Sequence, residues 1–393
     1  KCSFIRSYVP ELPVPMEDVA RAAELIDKAE RPMVVYGQGV ILGGAEKALA
    51  EFIEKGDIPA ASTLLGLAAL PSSSRLYQGM IGMHGNVAPN IKTNECDVLI
   101  AVGMRFDDRV TGTLSKYAKQ AKVIHIDIDA SEIGKIVPVE VGINANAAQV
   151  LPALTSMIGA RRRDAWVDSF SECARIECEK VIDRELHPGE GHIRMGEVID
   201  KVSEVTGGGA VIVTDVGQNQ MMAARYSRFN RTRSFISSGG LGTMGFGLPA
   251  AIGAKMGAPD RQVCLFVGDG GIQMTIEELG TVMQEGTGVK VVILNNNWLG
   301  NVRQWQELFF GGRSSATRLM NPAYLLLPKA YSIDAEVVES REDIDGAVRR
   351  MFADDRPYVL DVRVIEDGNV MPMIPPGKGI DEIMLSETEW YEK

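Results

Sequence analysis

Apolar runs of strand length alternate with stretches of helical periodicity along the whole chain. In the first half, runs at 33–36, 59–63, 97–102 and 123–127 predict strands, and an amphipathic helix is predicted over 17–29. In the second half, the same signals predict a helix at 195–205 and strands at 210–214, 262–267, 289–294 and 358–364. This alternation predicts an α/β protein with two consecutive doubly wound domains, each built on a mainly parallel sheet.

A change of composition separates the two halves. Residues 161–186 have the pattern of an interleaved charged helix, which Pro188 and Gly189 end. We therefore expect a first domain at 1–160, a helical connector at 161–189 and a second domain at 190–393. The arginines at 161–163 stand beside Asp164 and Asp168, which is typical of a solvated helix end rather than of a nucleic-acid site.

Charge and cysteine usage narrow the classes of protein. The 393 residues include 41 Lys and Arg against 52 Asp and Glu, and the net charge of -11 disfavours general affinity for nucleic acid. No stretch approaches the roughly 18 consecutive apolar residues of a membrane span. The five cysteines are Cys2, Cys96, Cys173, Cys178 and Cys264. They contain no C-x-x-C pair, so they signal neither a zinc site nor a disulfide framework and fit a reducing cytoplasm.

The first residues suggest a piece of a longer protein. The chain begins with Lys1 rather than Met, and its first 20 residues contain no apolar segment of a signal peptide. We therefore expect a cytoplasmic fragment.

Two strand ends carry the most informative polar residues. Gly268, Asp269 and Gly270 follow one apolar run, and Asn296 follows the next, 27 residues after Asp269. Because the carboxyl ends of parallel strands meet at one sheet edge, we expect these groups to lie together. Carboxylate and amide oxygens suit Mg²⁺, whose coordination shell phosphate oxygens would complete. A helix predicted to begin after Gly271 adds free N–H groups that can bind the same phosphates. Gly-Asp-Gly alone is more typical of a turn, but the spacing to Asn296 favours the site.

This spacing resembles the thiamine diphosphate signature, and the resemblance extends over essentially the whole chain. Segments 237–254, 299–306 and 371–376 are similar to acetohydroxyacid synthase, also called acetolactate synthase. Segments 82–85, 103–112 and 125–135 look like the FAD-binding central domain of that family. The similarity is to the large catalytic subunit.

The resemblance implies roles for residues in the second half. Asp269 and Asn296 would ligate Mg²⁺ by their side chains, and Trp298 by its carbonyl oxygen. The implied thiamine diphosphate contacts are Gln218, Asn219, Gly242, Thr243, Met244, Asp269, Gly270, Gly271 and Asn296. Met244 would lie under the bend of the cofactor, while Trp305 and Arg109 would lie at the channel to the active site. From the pattern alone, Trp305 is more typical of a core aromatic of an amphipathic helix.

The resemblance also implies a flavin site in the first half. Its residues would be Gly37, Gln38, Gly39, Thr63, Leu64, Gly82, Met83, His84, Gly103, Arg105, Asp107, Asp127 and Ile128. Without the resemblance, the Gly37 turn would simply end a strand, and His84 would be a hydrogen-bonded structural histidine. Three positions depart from the family pattern: Asn301, the pair Ala145 and Asn146, and Asn219.

The implied reaction is the decarboxylation of pyruvate and the transfer of the two-carbon unit to a second 2-ketoacid, either pyruvate or 2-ketobutyrate. This reaction belongs to valine, leucine and isoleucine biosynthesis. The implied assembly of the parent protein is a homo-oligomer, either a dimer or a tetramer, and whether a small regulatory subunit joins it is left open by the sequence. The family also carries an N-terminal domain whose glutamate activates the cofactor, and no residue here matches it, so we expect the isolated chain to be inactive.

Two alternatives remain open at this point. The chain could belong to another thiamine-dependent 2-ketoacid decarboxylase or carboligase, or it could be a nucleotide-binding scaffold without catalysis. Bound yellow flavin in the full-length protein would favour acetohydroxyacid synthase over the first alternative. Magnesium-dependent binding of thiamine diphosphate would favour it over the second.

Overall fold

A computed structural model describes residues 12–392, so Cys2 and the expected start of the chain lie outside the described residues. The chain divides into two units. The first extends to Leu70 and also includes Ser74–Arg175 and Ile374–Ile383, and the second comprises Pro71–Ser73, Ile176–Met373 and the residues from Met384 onward. The boundary between the two units after Arg175 falls within the segment 161–189, where the sequence predicts a connector.

The first unit is built on a six-stranded parallel sheet. Its strands are β1 Pro32–Tyr36, β2 Ala60–Ser62, β3 Tyr77–Met80, β4 Val98–Val102, β5 Lys122–Asp127 and β6 Val141–Asn144. They lie in the order β3-β2-β1-β4-β5-β6. The strand order reverses between β1 and β4, which is where a doubly wound sheet opens a crevice at its carboxyl edge.

Helices cover the first sheet. They are α1 Met16–Lys28, α2 Gln38–Leu42, α3 Glu46–Gly56, α4 Val87–Thr93, α5 Asp108–Thr111, α6 Ala147–Met157, α7 Asp164–Asp168 and α8 Phe170–Glu177. The apolar face of α1 is buried through Val19, Ala22, Ala23 and Ile26, as its sequence period predicts. These residues share one core cluster with strand residues such as Val34.

The second unit is built on another six-stranded parallel sheet. Its strands are β7 Val211–Thr214, β8 Phe235–Ile236, β9 Val263–Gly268, β10 Val289–Asn295, β11 Asp334–Val338 and β12 Tyr358–Arg363. They lie in the order β11-β12-β10-β9-β7-β8, so the direction of winding reverses between β7 and β9. The central strand β10 is buried along its whole length because helices cover both faces. The predicted fold class is therefore confirmed.

The helices of the second unit follow a π-helical turn at Cys178–Ile182. They are α9 Asp183–Leu186, α10 Met195–Val205, α11 Gln218–Tyr226, α12 Gly247–Gly257, α13 Asp269–Ile272, α14 Leu279–Glu285, α15 Gly300–Phe309, α16 Leu326–Ala330 and α17 Ile344–Met351. One prediction was wrong here: the helix expected after Gly271 begins at Asp269 and lasts one turn. Within residues 12–392, every helix is too short or too polar to span a bilayer.

Candidate cofactor-binding sites

The carboxyl edge of the second sheet brings together polar residues from three neighbouring strands. In the register of β9 and β10, Gly268 lies opposite Leu294, so Asp269 and Asn295 come next to each other at the carboxyl ends of the two strands. On the other side of β9, β7 ends at Thr214 and is followed by Asp215 and by α11 with Gln218. Sequence-distant polar groups therefore meet because parallel strands end together.

Asp269 is the buried acid at this edge. Its side chain is 1% exposed, and its Oδ2 accepts a hydrogen bond of 2.7 Å from Asn321 Nδ2. Its other oxygen, Oδ1, is buried without a hydrogen-bond partner. Burial raises the pKa of Asp269 to about 6 because the carboxylate has lost its water. A buried oxygen without a partner is costly unless a ligand completes it, and a cation would do so.

Asn296 is the amide at the neighbouring strand end. Its Nδ2 donates to Gln218 Oε1 at 3.2 Å, and its Oδ1 accepts from the backbone N–H of Trp298 at 3.1 Å. The side-chain oxygen of the next residue, Asn297, lies 3.1 Å from Asn321 Nδ2, which also donates to Asp269. The structure thus places Asn296 and Asp269 at neighbouring strand ends, in one cluster of polar side chains.

Asn321 belongs to this cluster, and sequence reasoning missed it. Its Nδ2 lies 2.7 Å from Asp269 Oδ2, 3.0 Å from Asn295 Oδ1 and 3.1 Å from Asn297 Oδ1. Three oxygens therefore surround one nitrogen that carries two hydrogens. Since Asn321 precedes Pro322 in a loop, the pattern indicated only a turn.

Gln218 and Asn219 begin α11 and are both buried. Gln218 Nε2 donates to Gln304 Oε1 and to the Gly368 carbonyl oxygen, each at 2.9 Å. Asn219 Nδ2 donates to the Val216 carbonyl oxygen at 3.3 Å, and its Oδ1 is buried without a partner. Asn219 thus offers a second unsatisfied oxygen at the same edge.

Asp215 supports the loop that carries Met244. Its buried carboxylate accepts from the backbone N–H of Gly247 at 3.2 Å, and burial raises its pKa. The loop is also closed by Ser238, whose Oγ accepts from the Thr243 N–H at 3.1 Å and whose carbonyl accepts from Gly242 at 3.0 Å. Met244 is half-buried in this loop. Sequence reasoning missed Asp215, although it follows a strand as Asp269 does.

Three glycines give the edge its close packing. A Cβ on Gly270 would meet the Leu299 side chain, and one on Gly271 would meet Asp215 Oδ2. A Cβ on Gly300 would strike both Gln218 Oε1 and Asn296 Nδ2. A larger residue at Gly271 or Gly300 would push polar side chains out of the cluster, and one at Gly270 would displace Leu299.

Trp298, Asn301 and Trp305 lie in or just before α15. The Trp298 ring lies under the Arg318 guanidinium, 5.5 Å from its ring centre, and Trp298 forms a β-bridge with Arg318. Trp305 is half-buried and packs on Phe309 with ring centres 5.2 Å apart. Asn301 Oδ1 is buried without a partner.

The donor set at this edge fits magnesium and a phosphate group. Asp269 and Asn296 offer oxygen ligands, and hard cations such as Mg²⁺ prefer oxygen and retain room for phosphate. Within residues 12–392, no group of three His, Cys, Asp or Glu side chains gathers as a metal site. One carboxylate with neutral amides leaves a divalent cation under-neutralised, which a diphosphate would correct.

The carboxyl edge of the first sheet carries the residues predicted for flavin. Gly37 and Gly39 follow β1, and Gly103 follows β4 across the switch point. The Gly39 N–H donates to the Gly103 carbonyl at 3.0 Å, and a Cβ on Gly39 would lie 2.5 Å from Gly103 Cα. Gly103 has a φ of +58°. The two loops therefore lie backbone against backbone, as a crevice for an extended ligand requires.

The neighbouring strands of this sheet end in other predicted residues. Thr63 and Leu64 follow β2, and the Thr63 N–H donates to the Tyr36 carbonyl at 2.8 Å. Gly82, Met83 and His84 follow β3. The Gly82 backbone is fixed by Asn90, whose side chain bonds its N–H and its carbonyl oxygen at 2.9 Å each. His84 is buried, and Gln38 is exposed at the start of α2.

The remaining predicted residues follow β4 and β5. Asp107 caps α5 by accepting from the N–H groups of Arg109 and Val110 at 3.0 and 3.2 Å. Arg105 lies 3.5 Å from Asp107, and the Arg109 side chain is exposed. Asp127 ends β5, where burial raises its pKa, and Ile128 is 56% exposed.

One departure from the family pattern has a structural role of its own. Asn146 caps α6 by accepting from the Ala148 N–H at 2.9 Å.

Two protein families match the chain, one in each unit. Residues 19–154, which contain the first sheet, match "Thiamine pyrophosphate enzyme, central domain". Residues 215–362, which contain Asp269 and Asn296, match "Thiamine pyrophosphate enzyme, C-terminal TPP binding domain". Thiamine pyrophosphate is thiamine diphosphate, so the second match agrees with the oxygen cluster on the same segment.

Individual relatives give a narrower result. The chain is 40% identical over 375 residues to the acetolactate synthase isozyme 2 large subunit of Escherichia coli (strain K12), covering 95% of this chain and 67% of that protein. It is 40% identical over 358 residues to the acetolactate synthase large subunit of Lactococcus lactis subsp. lactis, covering 91% of this chain and 61% of that protein.

A third relative extends this result. The chain is 38% identical over 372 residues to a probable acetolactate synthase large subunit of Methanocaldococcus jannaschii, with coverage of 93% of this chain and 63% of that protein. The chain therefore spans about three fifths to two thirds of the length of the curated relatives it matches. By this similarity over nearly all its residues, the chain belongs to the acetolactate synthase large-subunit family of thiamine pyrophosphate enzymes.

Proposed function

We propose that this chain supplies the magnesium, thiamine diphosphate and flavin sites of an acetolactate synthase, which decarboxylates pyruvate and transfers the two-carbon unit to pyruvate or 2-ketobutyrate. The observation that carries the proposal is the buried, unpartnered Oδ1 of Asp269 at the strand end next to the one that carries Asn296. The acid and the amide lie at the ends of β9 and β10, and the carboxyl edge of such a sheet is where a diphosphate and its cation would bind.

Each residue of the second sheet edge has a distinct role in this proposal. Asp269 Oδ1, Asn296 Oδ1 and the Trp298 carbonyl hold Mg²⁺. Gln218, Asn219, Gly242, Thr243, Gly270 and Gly271 surround the cofactor. Thiamine diphosphate, when bound, supplies the electron sink for decarboxylation. Met244 supports the cofactor from its loop, since a long polarizable side chain fills an irregular space well.

Trp305 of the second unit is assigned to the acceptor ketoacid, because its indole suits an alkyl chain. The family resemblance separately assigns Arg109 of the first unit to the substrate channel, because a guanidinium suits a carboxylate. Trp305 is half-buried beside Phe309, and Arg109 is exposed, so both side chains are accessible within their own units.

The flavin site lies at the first sheet edge in this proposal. Gly37, Gly39 and Gly103 bring two loops close enough to line an extended ligand, and Asp127 lies at the end of β5. The neighbouring strand ends supply Thr63 and Gly82. FAD remains with the purified protein as yellow colour if this assignment is right.

Calorimetric titration with thiamine diphosphate, in Mg²⁺ and in EDTA, tests the proposal. We expect binding that requires Mg²⁺ and is lost in Asp269→Ala, because the carboxylate is the one charged ligand. The exposed Asp260→Ala is the matched control and should bind as the parent does. Wild-type affinity in Asp269→Ala, or equal affinity in EDTA, would overturn the metal assignment.

The assembly is part of the same proposal. The relatives are named large subunits, so a smaller regulatory subunit and a homo-oligomer are the expected partners. Light scattering of the purified protein measures the oligomer, and a monomer at micromolar concentration would contradict it.

A further inference from the structure

Three buried amide side chains form a directed chain of hydrogen bonds behind the proposed metal site. Gln304 of α15 is 0% exposed, Gln218 is 4% exposed and Asn296 is 3% exposed. Gln304 Oε1 accepts from Gln218 Nε2 at 2.9 Å, and Gln218 Oε1 accepts from Asn296 Nδ2 at 3.2 Å. This series of hydrogen bonds therefore ends on Asn296, the amide that would ligate Mg²⁺.

The backbone at Val370 fixes the orientation of the first amide. Its N–H donates to Gln304 Oε1 at 2.9 Å, and its carbonyl accepts from Gln304 Nε2 at 3.3 Å. A backbone N–H only donates and a carbonyl only accepts. A reversed Gln304 amide would therefore place its NH₂ group against the Val370 N–H and its oxygen against the Val370 carbonyl oxygen. The orientation of Gln304 thus follows from atoms whose polarity is fixed.

Each following amide is oriented by the amide before it together with one backbone group. Gln218 Nε2 faces both Gln304 Oε1 and the Gly368 carbonyl, so a reversed Gln218 would place its oxygen against two oxygens. Asn296 must then present Nδ2 to Gln218, and its Oδ1 turns to the Trp298 N–H. The second lone pair of this oxygen remains for a cation.

We propose that Gln304 is a positioning residue that acts through Gln218 to keep the oxygen of Asn296, rather than its NH₂ group, turned toward the magnesium ion. The inference rests on the proposed function of this edge. The hydrogen bonds of Gln304 go to Gln218, Val370 and Met373, so its effect on Asn296 passes through Gln218. Without it, the Gln218 amide would lose the contact that transmits the orientation from Val370.

Two substitutions of similar size separate orientation from simple packing. Gln304→Met removes both polar ends, so Gln218 loses its acceptor. Gln304→Glu keeps an oxygen for Val370 N–H and for Gln218, and when protonated it can still donate to the Val370 carbonyl. If Gln304 has only a structural role, the buried acid of Gln304→Glu should be the more damaging replacement. If Gln304 orients Gln218, Gln304→Glu should bind the metal more tightly than Gln304→Met.

The test is the dissociation constant of Mn²⁺ in the presence of thiamine diphosphate, measured by the electron paramagnetic resonance signal of free Mn²⁺, with Tm recorded for each variant. We expect Gln304→Met to weaken Mn²⁺ binding by about 10- to 100-fold, and Gln304→Glu to bind more tightly than Gln304→Met whatever its Tm. In a Gln218→Met background, Gln304→Met should cause no further loss, because the relay is already broken. Additive losses, or losses that follow Tm, would overturn the inference.

A second measurement needs no metal. In the unliganded chain, the side-chain NH₂ signals of Gln218 and Asn296 should exchange slowly with water, and Gln304→Met should accelerate exchange at both while distant amides stay unchanged. Failure of the parent chain to bind Mn²⁺ would refute the proposed function, and these signals would still decide the relay. Unchanged exchange in Gln304→Met would refute it.

Discussion

Asn321 donates a hydrogen bond of 2.7 Å from Nδ2 to Oδ2 of Asp269, across 52 residues of sequence. The same nitrogen lies within 3.1 Å of the side-chain oxygens of Asn295 and Asn297. One amide therefore ties the end of β9 to the end of β10. It also occupies one oxygen of the carboxylate, so that the free oxygen, Oδ1, is the one available to a cation.

Asn321→Ala should weaken magnesium binding by about 10- to 100-fold, because Asp269 loses the contact that orients its carboxylate. The measurement is calorimetric titration of Mg²⁺ in the presence of thiamine diphosphate. Tyr324→Phe is the comparison variant, since the Tyr324 hydroxyl donates to the main-chain oxygen of Asp269 at 2.7 Å and lies 3.5 Å from Asn321 Oδ1, whereas the Asn321 bond to the carboxylate is kept. Equal losses in both variants would mean that Asn321 only supports the fold of its loop.

Gly300→Ala should disrupt the amide cluster, because the added Cβ would collide with Gln218 and Asn296. We expect a loss of about 1–3 kcal/mol in the free energy of unfolding, together with weaker binding of thiamine diphosphate. Gly253→Ala in α12 is the control, since its Cβ would meet nothing within 4 Å and alanine favours a helix. Urea denaturation should therefore show one variant destabilised and the other equally stable or more so. A stable Gly300→Ala with normal binding would contradict the packing described here.

Gly39→Ala should reduce the flavin content of the purified protein. Its Cβ would lie 2.5 Å from Gly103 Cα, so the loops after β1 and β4 would have to separate. The absorbance near 450 nm, relative to protein, measures bound flavin. Gly159→Ala provides the control in the same unit, because its nearest contact would be an ordinary 3.6 Å. Full flavin occupancy in Gly39→Ala would place the flavin elsewhere.

Glu185 should make the stability of the protein fall as pH rises from about 4.5 to 7. Its side chain is mostly buried, its Oε1 accepts from the Gly196 N–H at 2.8 Å, and burial raises its pKa from 4.5 to about 7. Between these values the folded chain holds a proton that the unfolded chain has released, so the free energy of unfolding decreases with pH. The full effect corresponds to about 3 kcal/mol.

Glu185→Gln isolates this contribution. The amide cannot ionise, so the difference in stability between the variant and the parent should grow in favour of the variant across the same pH range. Denaturant titrations at pH 5 and pH 8 measure it. A difference that stays constant between the two pH values would show that Glu185 titrates normally.

The central strands were predictable, and the edge strands were not. The predicted runs at 33–36, 97–102 and 289–294 became β1, β4 and β10, which are apolar because they are covered on both faces. The strands that the sequence pattern missed, β3, β6, β8 and β11, are the four outer strands of the two sheets. Outer strands are paired on one side and partly exposed, so they carry Gly79 or Asp334 and lose the apolar signal.

The candidate metal site divides in the same way. The sequence by itself determined that an acid and an amide follow neighbouring apolar strands, which a parallel arrangement brings to one edge, and family resemblance added residues such as Met244. Only the tertiary structure decided that Asn321, Gln304 and Asp215 join them. Their partners are up to 86 residues away, as for Gln304 and Gln218. Hydrogen bonds between distant loops depend on tertiary packing rather than on the local periodicity of apolar residues, so no sequence pattern predicts them.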